Sequence, residues 1–130
     1  MEITAPKQSL NKSAQGVFDF LSDLKNIEQL MPEDLEHFEM TDDDSFFFVL
    51  KGMPKIYLKR GETEAPNRML LRSAREEFDF HIAILLEETG IESCDAVLDF
   101  KGNFNMMMTM MIKSPITNFI NTLAQNLTKV

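Results

Sequence analysis

The chain holds a single cysteine, Cys94, in 130 residues, so no internal disulfide can staple it. A lone thiol fits a reducing compartment, and the expected location is the cytoplasm. Tryptophan is absent and tyrosine occurs once, which leaves a core with almost no indole or phenol group in need of a partner. The two histidines, His37 and His81, stand far apart and outside any His-x-x-x-His spacing. No metal site and no cofactor is therefore expected. No apolar run approaches the roughly 18 residues of a membrane span, and the first residues lack the charged-then-apolar pattern of an export signal. Stable membrane insertion is not expected. Positive charge is scarce: 13 Lys and Arg against 21 Asp and Glu leave a net charge of −8. That balance opposes a broad phosphate-backbone footprint, so nucleic acid is not an expected partner. Gly-rich phosphate loops, Gly-x-Ser-x-Gly elbows and Cys-x-x-Cys pairs are all missing.

No linker-like stretch and no repeat divides the chain, and its length fits one domain over residues 1–130. At 15.0 kDa the folded surface should be roughly 7,000 Å², with about two thirds of the extended-chain surface buried. A real core needs no staple at that size. Its material is unusual: 11 Phe and 10 Met give a soft, adaptable interior.

Periodicity divides the chain into three parts. Glu2 to Ser9 reads as one short strand, edge or bulged because of Pro6. Ser13 then caps a helix carrying Val17, Phe18, Leu21 and Leu24, and a second short helix over Asn26 to Leu30 is closed by Met31-Pro32. From Leu35 to Phe104 the apolar period falls to two. Phe46, Phe48 and Leu50 alternate, as do Ile56 and Leu58, Met69 and Leu71, Phe78 to Leu86, and Cys94 to Phe100. Turn-rich breaks separate six strands, and connections this short favour antiparallel hairpins. From Met106 the period returns to that of a helix through Ile116, Phe119, Ile120, Leu123 and Leu127, with Asn105 as its cap. Pro115 should kink this helix near Met111 or start a fresh segment capped by Ser114. A curved seven-stranded antiparallel sheet wrapped around the last helix, with two short helices after the first strand, buries both apolar faces at once. The fold class is α+β.

That order of elements resembles the START-like (SRPBCC) superfamily, the birch-pollen-allergen-like helix-grip fold, and its small bacterial members in particular. The resemblance is carried by Ser13-Ala14-Gln15-Gly16-Val17-Phe18-Asp19-Phe20-Leu21-Ser22-Asp23, by Leu30-Met31-Pro32, by Phe48, Leu50 and Gly52, by the strand Ile56 to Thr63, and by Pro115-Ile116-Thr117-Asn118-Phe119-Ile120. It implies a cavity between the concave sheet and the C-terminal helix. It does not name a ligand, because the superfamily spans lipid transfer, polyketide cyclisation, quinone binding and co-chaperone work.

The inward positions are almost wholly apolar, so the expected function is non-enzymatic binding or transport of a small hydrophobic or amphipathic molecule (lipid, quinone or polyketide-like). Its expected walls are Met31, Phe46, Phe48, Leu50, Met53, Phe80, Ile82, Ile84, Ala96, Leu98, Phe100 and Phe119, with Met107, Met110 and Met111 at the start of the last helix. The expected cavity volume is about 300–1,000 Å³. No catalytic residue is expected. A cyclase- or hydrolase-like enzyme would need an ionisable group in the cavity, and a co-chaperone-like module an exposed apolar patch. The chain is expected as a monomer or weak homodimer. Asp42-Asp43-Asp44 reads as a solvated turn, His81 and Arg72 as outward strand residues, and Cys94 as a small core hydrophobe.

Overall fold

The computed structural model describes residues 1–130. In chain order it contains β1 (Glu2–Thr4), β2 (Gln8–Leu10), α1 (Ala14–Ser22), a 3-10 helix (Leu24–Leu30), β3 (Leu35–Asp42), β4 (Ser45–Leu50), β5 (Ile56–Arg60), β6 (Arg68–Ser73), β7 (Asp79–Gly90), β8 (Ser93–Asn103) and α2 (Met106–Leu127). All strands join one antiparallel sheet in the order β1-β8-β7-β6-β5-β4-β3, with β2 also paired to β8. The sheet has eight strands rather than seven. The first segment divides at Pro6, which offers no N–H to the ladder. Ile3 pairs with Phe100 before the break, and Ser9 pairs with Asp95 after it. The accessible surface is 7412 Å², close to the value expected from mass.

Local chemistry sets the helix starts. The Gly16 N–H donates to Ser13 Oγ at 3.0 Å, and the Met108 N–H to Asn105 Oδ1 at 2.8 Å. The 3-10 helix begins at Leu24, earlier than the expected Asn26, because Asp23 accepts from the Lys25 N–H at 3.2 Å. It stops where Met31 turns extended before Pro32. In α2 the expected break is absent: the helix runs unbroken past Pro115, and Ser114 starts no new segment. Proline removes one N–H there. The buried stripe Ile116, Phe119, Ile120, Leu123, Ala124 and Leu127 supplies tertiary packing that outweighs this loss.

One apolar cluster fills the concave side, and no polar or charged residue is buried. α1 packs against β6, β7 and β8, while α2 packs against the 3-10 helix, β1, β2 and β8. Phe46 and Phe48 enter the core as expected from their alternation. Phe47 points the other way yet is buried, sandwiched on the convex face between His37 and Tyr57 at ring distances of 5.4 and 5.1 Å. No helix is long and apolar enough to cross a membrane.

Candidate ligand-binding site

The two helices cover different parts of the concave sheet, and a cavity remains between α2 and the strands. Its walls include Phe48 of β4, Ile56 and Leu58 of β5, Phe80 and Ile82 of β7, Phe100 of β8, and Met108, Ile112, Ile116 and Phe119 of α2. Met53, Phe78 and Phe104 complete it from the connecting loops. The cavity measures about 60 Å³, against about 650 Å³ of atom-free space when its open cleft is included. This is far below the expected size, because aromatic rings occupy the lumen. Phe48 stacks on Phe119 at 5.0 Å, Phe80 on Phe100 at 5.4 Å, and Phe104 lies nearly parallel to Phe100 at 6.3 Å. Gly102 makes room for this stack: a Cβ there would overlap the Phe104 ring and sit 2.9 Å from Phe80 Cβ.

Of the expected wall residues, Phe48, Met53, Phe80, Ile82, Phe100 and Phe119 line the cavity. Phe46, Ile84, Ala96 and Leu98 do not; they are solid core, the last three on β7 and β8, which α1 covers, and Phe46 stacked against Phe38 and Phe48. Met31 and Leu50 border a separate cleft. Met107, Met110 and Met111 are a correction: they are 74 %, 79 % and 67 % exposed and form no part of the cavity. The phase of α2 is set by its buried second half. Counting towards the N-terminus from Ile116, four residues at a time, gives Ile112 and Met108, which line the cavity, while the other methionines stand exposed. The same count from Leu123 runs through Phe119 and Pro115 to Met111, so spacing alone does not choose between the two rows. No periodicity points to Phe104, or to Lys55, Tyr57, Ser73 and Arg75, which line the cavity from the start of β5, the end of β6 and the segments beside them.

The neighbouring cleft is larger, about 890 Å³, and polar. Ser114, Asn118, Thr122 and Asn126 recur every fourth residue along the α2 face that borders it. Opposite them lie Met31 to Asp34 and Leu50 to Met53, and Asn126 Nδ2 donates to the Leu30 carbonyl at 2.9 Å. Met53 and Phe119 belong to both spaces and form the partition between them.

His81, Cys94 and Asp42, whose pKa values are shifted, lie outside the cavity. His81 stands on the convex face of β7, opposite Arg72 of β6 and Lys101 of β8. Partial burial lowers its pKa, and the positive charges of Arg72, Lys101 and Arg68 add to that. The Cys94 thiol is buried in the core, and its pKa is pushed up by that burial, then by Asp95 and Glu88. A raised pKa removes thiolate, hence nucleophilicity. Asp42 accepts the Asp44 N–H at 2.7 Å, which lowers its pKa and marks a turn residue. No three His, Cys, Asp or Glu side chains gather into a metal-sized cluster.

No protein-family model matches the chain, and no curated protein matches it. Solved structures do match. A protein from Thermus thermophilus superposes over 99% of this chain and 95% of its own, with a TM-score of 0.75 and 15% identity. Norcoclaurine synthase from Thalictrum flavum, in complex with dopamine and hydroxybenzaldehyde, covers 99% and 84% with a TM-score of 0.78 and 14% identity. The Bacillus cereus protein XoxI covers 98% and 93% with a TM-score of 0.76 and 8% identity. The chain has the START-like helix-grip fold. At these identities the likeness carries the architecture and not the chemistry, so the function of this helix-grip chain must be argued from its own residues.

Proposed function

We propose that this helix-grip chain binds a small hydrophobic or amphipathic molecule, of lipid, quinone or polyketide-like type, without transforming it. The observation that carries the reading is an apolar cavity with an open mouth and no carboxylate, histidine or cysteine among its lining residues. The cavity is too narrow for such a ligand at rest, so binding displaces side chains. Met53, Met108 and Phe104 are suited to that, because thioethers are pliable and Phe104 hangs from the β8–α2 junction rather than from a strand. Repacking consumes part of the hydrophobic gain, and affinity of about micromolar order follows. The same reading has the chain acting in the cytoplasm as one domain over residues 1–130, as a monomer or weak homodimer. A cyclase- or hydrolase-like reaction finds no supporting group in the lumen. A protein-interaction role has one observation in its favour, the exposed face of Met106, Met107, Met110 and Met111.

The test is a chemical-shift titration with a fatty acid, a flavonoid and a short-chain quinone, alongside native mass spectrometry of gently purified protein. Binding should shift Phe104, Met108 and Ile112 and spare Ile84 and Leu98. Absence of any co-purified molecule together with unchanged spectra for all three compounds refutes the proposal.

A further inference from the structure

We infer that the first two turns of α2 are a docking surface for a second copy of this chain, the two helices packing antiparallel through Met106, Met107, Met110 and Met111. The inference gives the weak homodimer of the reading above its interface, and it stands apart from what the cavity holds. The four side chains are 80 %, 74 %, 79 % and 67 % exposed, and among the large hydrophobic residues only Ile91 is more open to water. A single exposed apolar side chain is ordinary, whereas a contiguous patch marks a surface that something covers.

At 3.6 residues per turn, Met106, Met110, Met107 and Met111 spread over about 140° of the helix surface. Met108 and Ile112 take the adjoining side, which lines the cavity. From Met106 to Ile112 only Thr109 is polar, so these turns are apolar almost all round, the pattern of a helix covered on every side. Beyond Lys113 the outward side of α2 changes character. Ser114, Asn118, Asn121 and Gln125 continue it, as suits a helix facing water. The apolar surface is therefore local to the two turns after the Asn105 cap.

Area and charge choose the occupant. The exposed parts of the four methionines add up to about three whole residues, roughly 500–600 Å² per copy, the size of the largest patch on an ordinary monomer. Two such faces bury about 1,000–1,200 Å² together, the lower end for a specific interface. A symmetric pair needs one self-complementary patch, and unbranched thioethers adapt to one another without a fixed shape. From Phe100 to Val130 the only charged side chains are Lys101, Lys113 and Lys129, and α2 is the one helix without a carboxylate. Two copies of net charge −8 thus meet there with no carboxylate on one helix opposing another. Antiparallel packing sets Met107 against Met110 and keeps both the two Lys113 and the two positive helix N-termini apart. A basic partner finds no acid on this helix. An anionic bilayer meets a single lysine in α2 beside the patch, Lys113, and repulsion from the rest of the chain.

The test is sedimentation velocity with methionine-methyl NMR of the full chain, from about 5 to about 500 μM, where a small interface gives a dimer of Kd about 10–100 μM. The methyl signals of Met106, Met107, Met110 and Met111 should shift with concentration, and that of the buried Met69 should not. Association should tighten as salt rises, because apolar contact holds the pair and like net charge opposes it. Met107→Gln/Met111→Gln should weaken it about tenfold or more. Both side chains are exposed, so at concentrations where the chain is monomeric this variant should melt within about 2 °C of the parent. Ile91→Gln, in the turn between β7 and β8, should leave association unchanged. A chain that stays monomeric up to about 500 μM overturns the inference, and binding of that monomer to phosphatidylcholine vesicles would assign the face to lipid instead. A dimer indifferent to Met107→Gln/Met111→Gln, equally sensitive to Ile91→Gln, or loosened by salt also overturns it. The binding role is read from Phe104, Met108 and Ile112 with added ligand, so it stands or fails separately.

Discussion

Phe119 is the side chain on which packing and function meet most directly. It is 3 % exposed, stacks on Phe48 at 5.0 Å with an interplanar angle of 17°, and stands between the apolar cavity and the polar cleft. Phe119→Ala removes the ring, its transfer energy and an aromatic pair, a loss of about 3–5 kcal/mol. A chain of 130 residues is expected to be stable by roughly 6–20 kcal/mol, so the variant should still fold. For a domain between the small and medium size classes, each kcal/mol corresponds to about 3–5 °C, which gives a fall in Tm of roughly 9–25 °C. The void would extend the existing cavity, remain apolar, and accept a small aromatic molecule. Indole at ten times its Kd would return about 1.4 kcal/mol, or roughly 5 °C, to the variant. The parent protein, whose cavity is largely filled, should respond less. Differential scanning calorimetry with and without indole measures both effects. A variant melting within about 3 °C of the parent would refute the packing assignment. A variant that is destabilised but gains nothing from indole would show that the void collapses instead of joining the cavity.

Two further outcomes follow from the same geometry. Gly102→Ala should lose about 1–3 kcal/mol in urea unfolding, because its Cβ competes with Phe104 and Phe80, and the loss should be smaller in a Phe104→Ala background; equal losses in both would clear Phe104 as the obstacle. His81 has a lowered pKa in the fold, so the unfolded chain binds its proton more readily; its contribution to stability is complete above 6.5, its ordinary value, and declines as pH falls below it. His81→Gln should flatten that part of the Tm-against-pH curve, and an unchanged slope would assign the dependence to other groups.

The sequence by itself determined whatever depends on neighbours a few residues away. Ser13 and Asn105 cap helices because a side-chain oxygen reaches an N–H three residues on, and the strands from Leu35 to Phe104 show their period because side chains alternate within one strand. The order of those elements was enough to reach the helix-grip fold. Pro6 and Pro115 are visible in the sequence, but their consequences are not local. β8 offers enough edge to pair both halves of the first segment, and packing along α2 overrides the local loss at Pro115. Only the tertiary structure decided which inward residues face space and which face other side chains. Phe80 and Ile84 share one face of one strand, yet the first lines the cavity and the second is core, because α1 fills one half of the grip and not the other. It also decided that Phe rings occupy most of the lumen. A cavity and its rim are set by contacts between segments distant in the chain, and local periodicity carries no record of those distances.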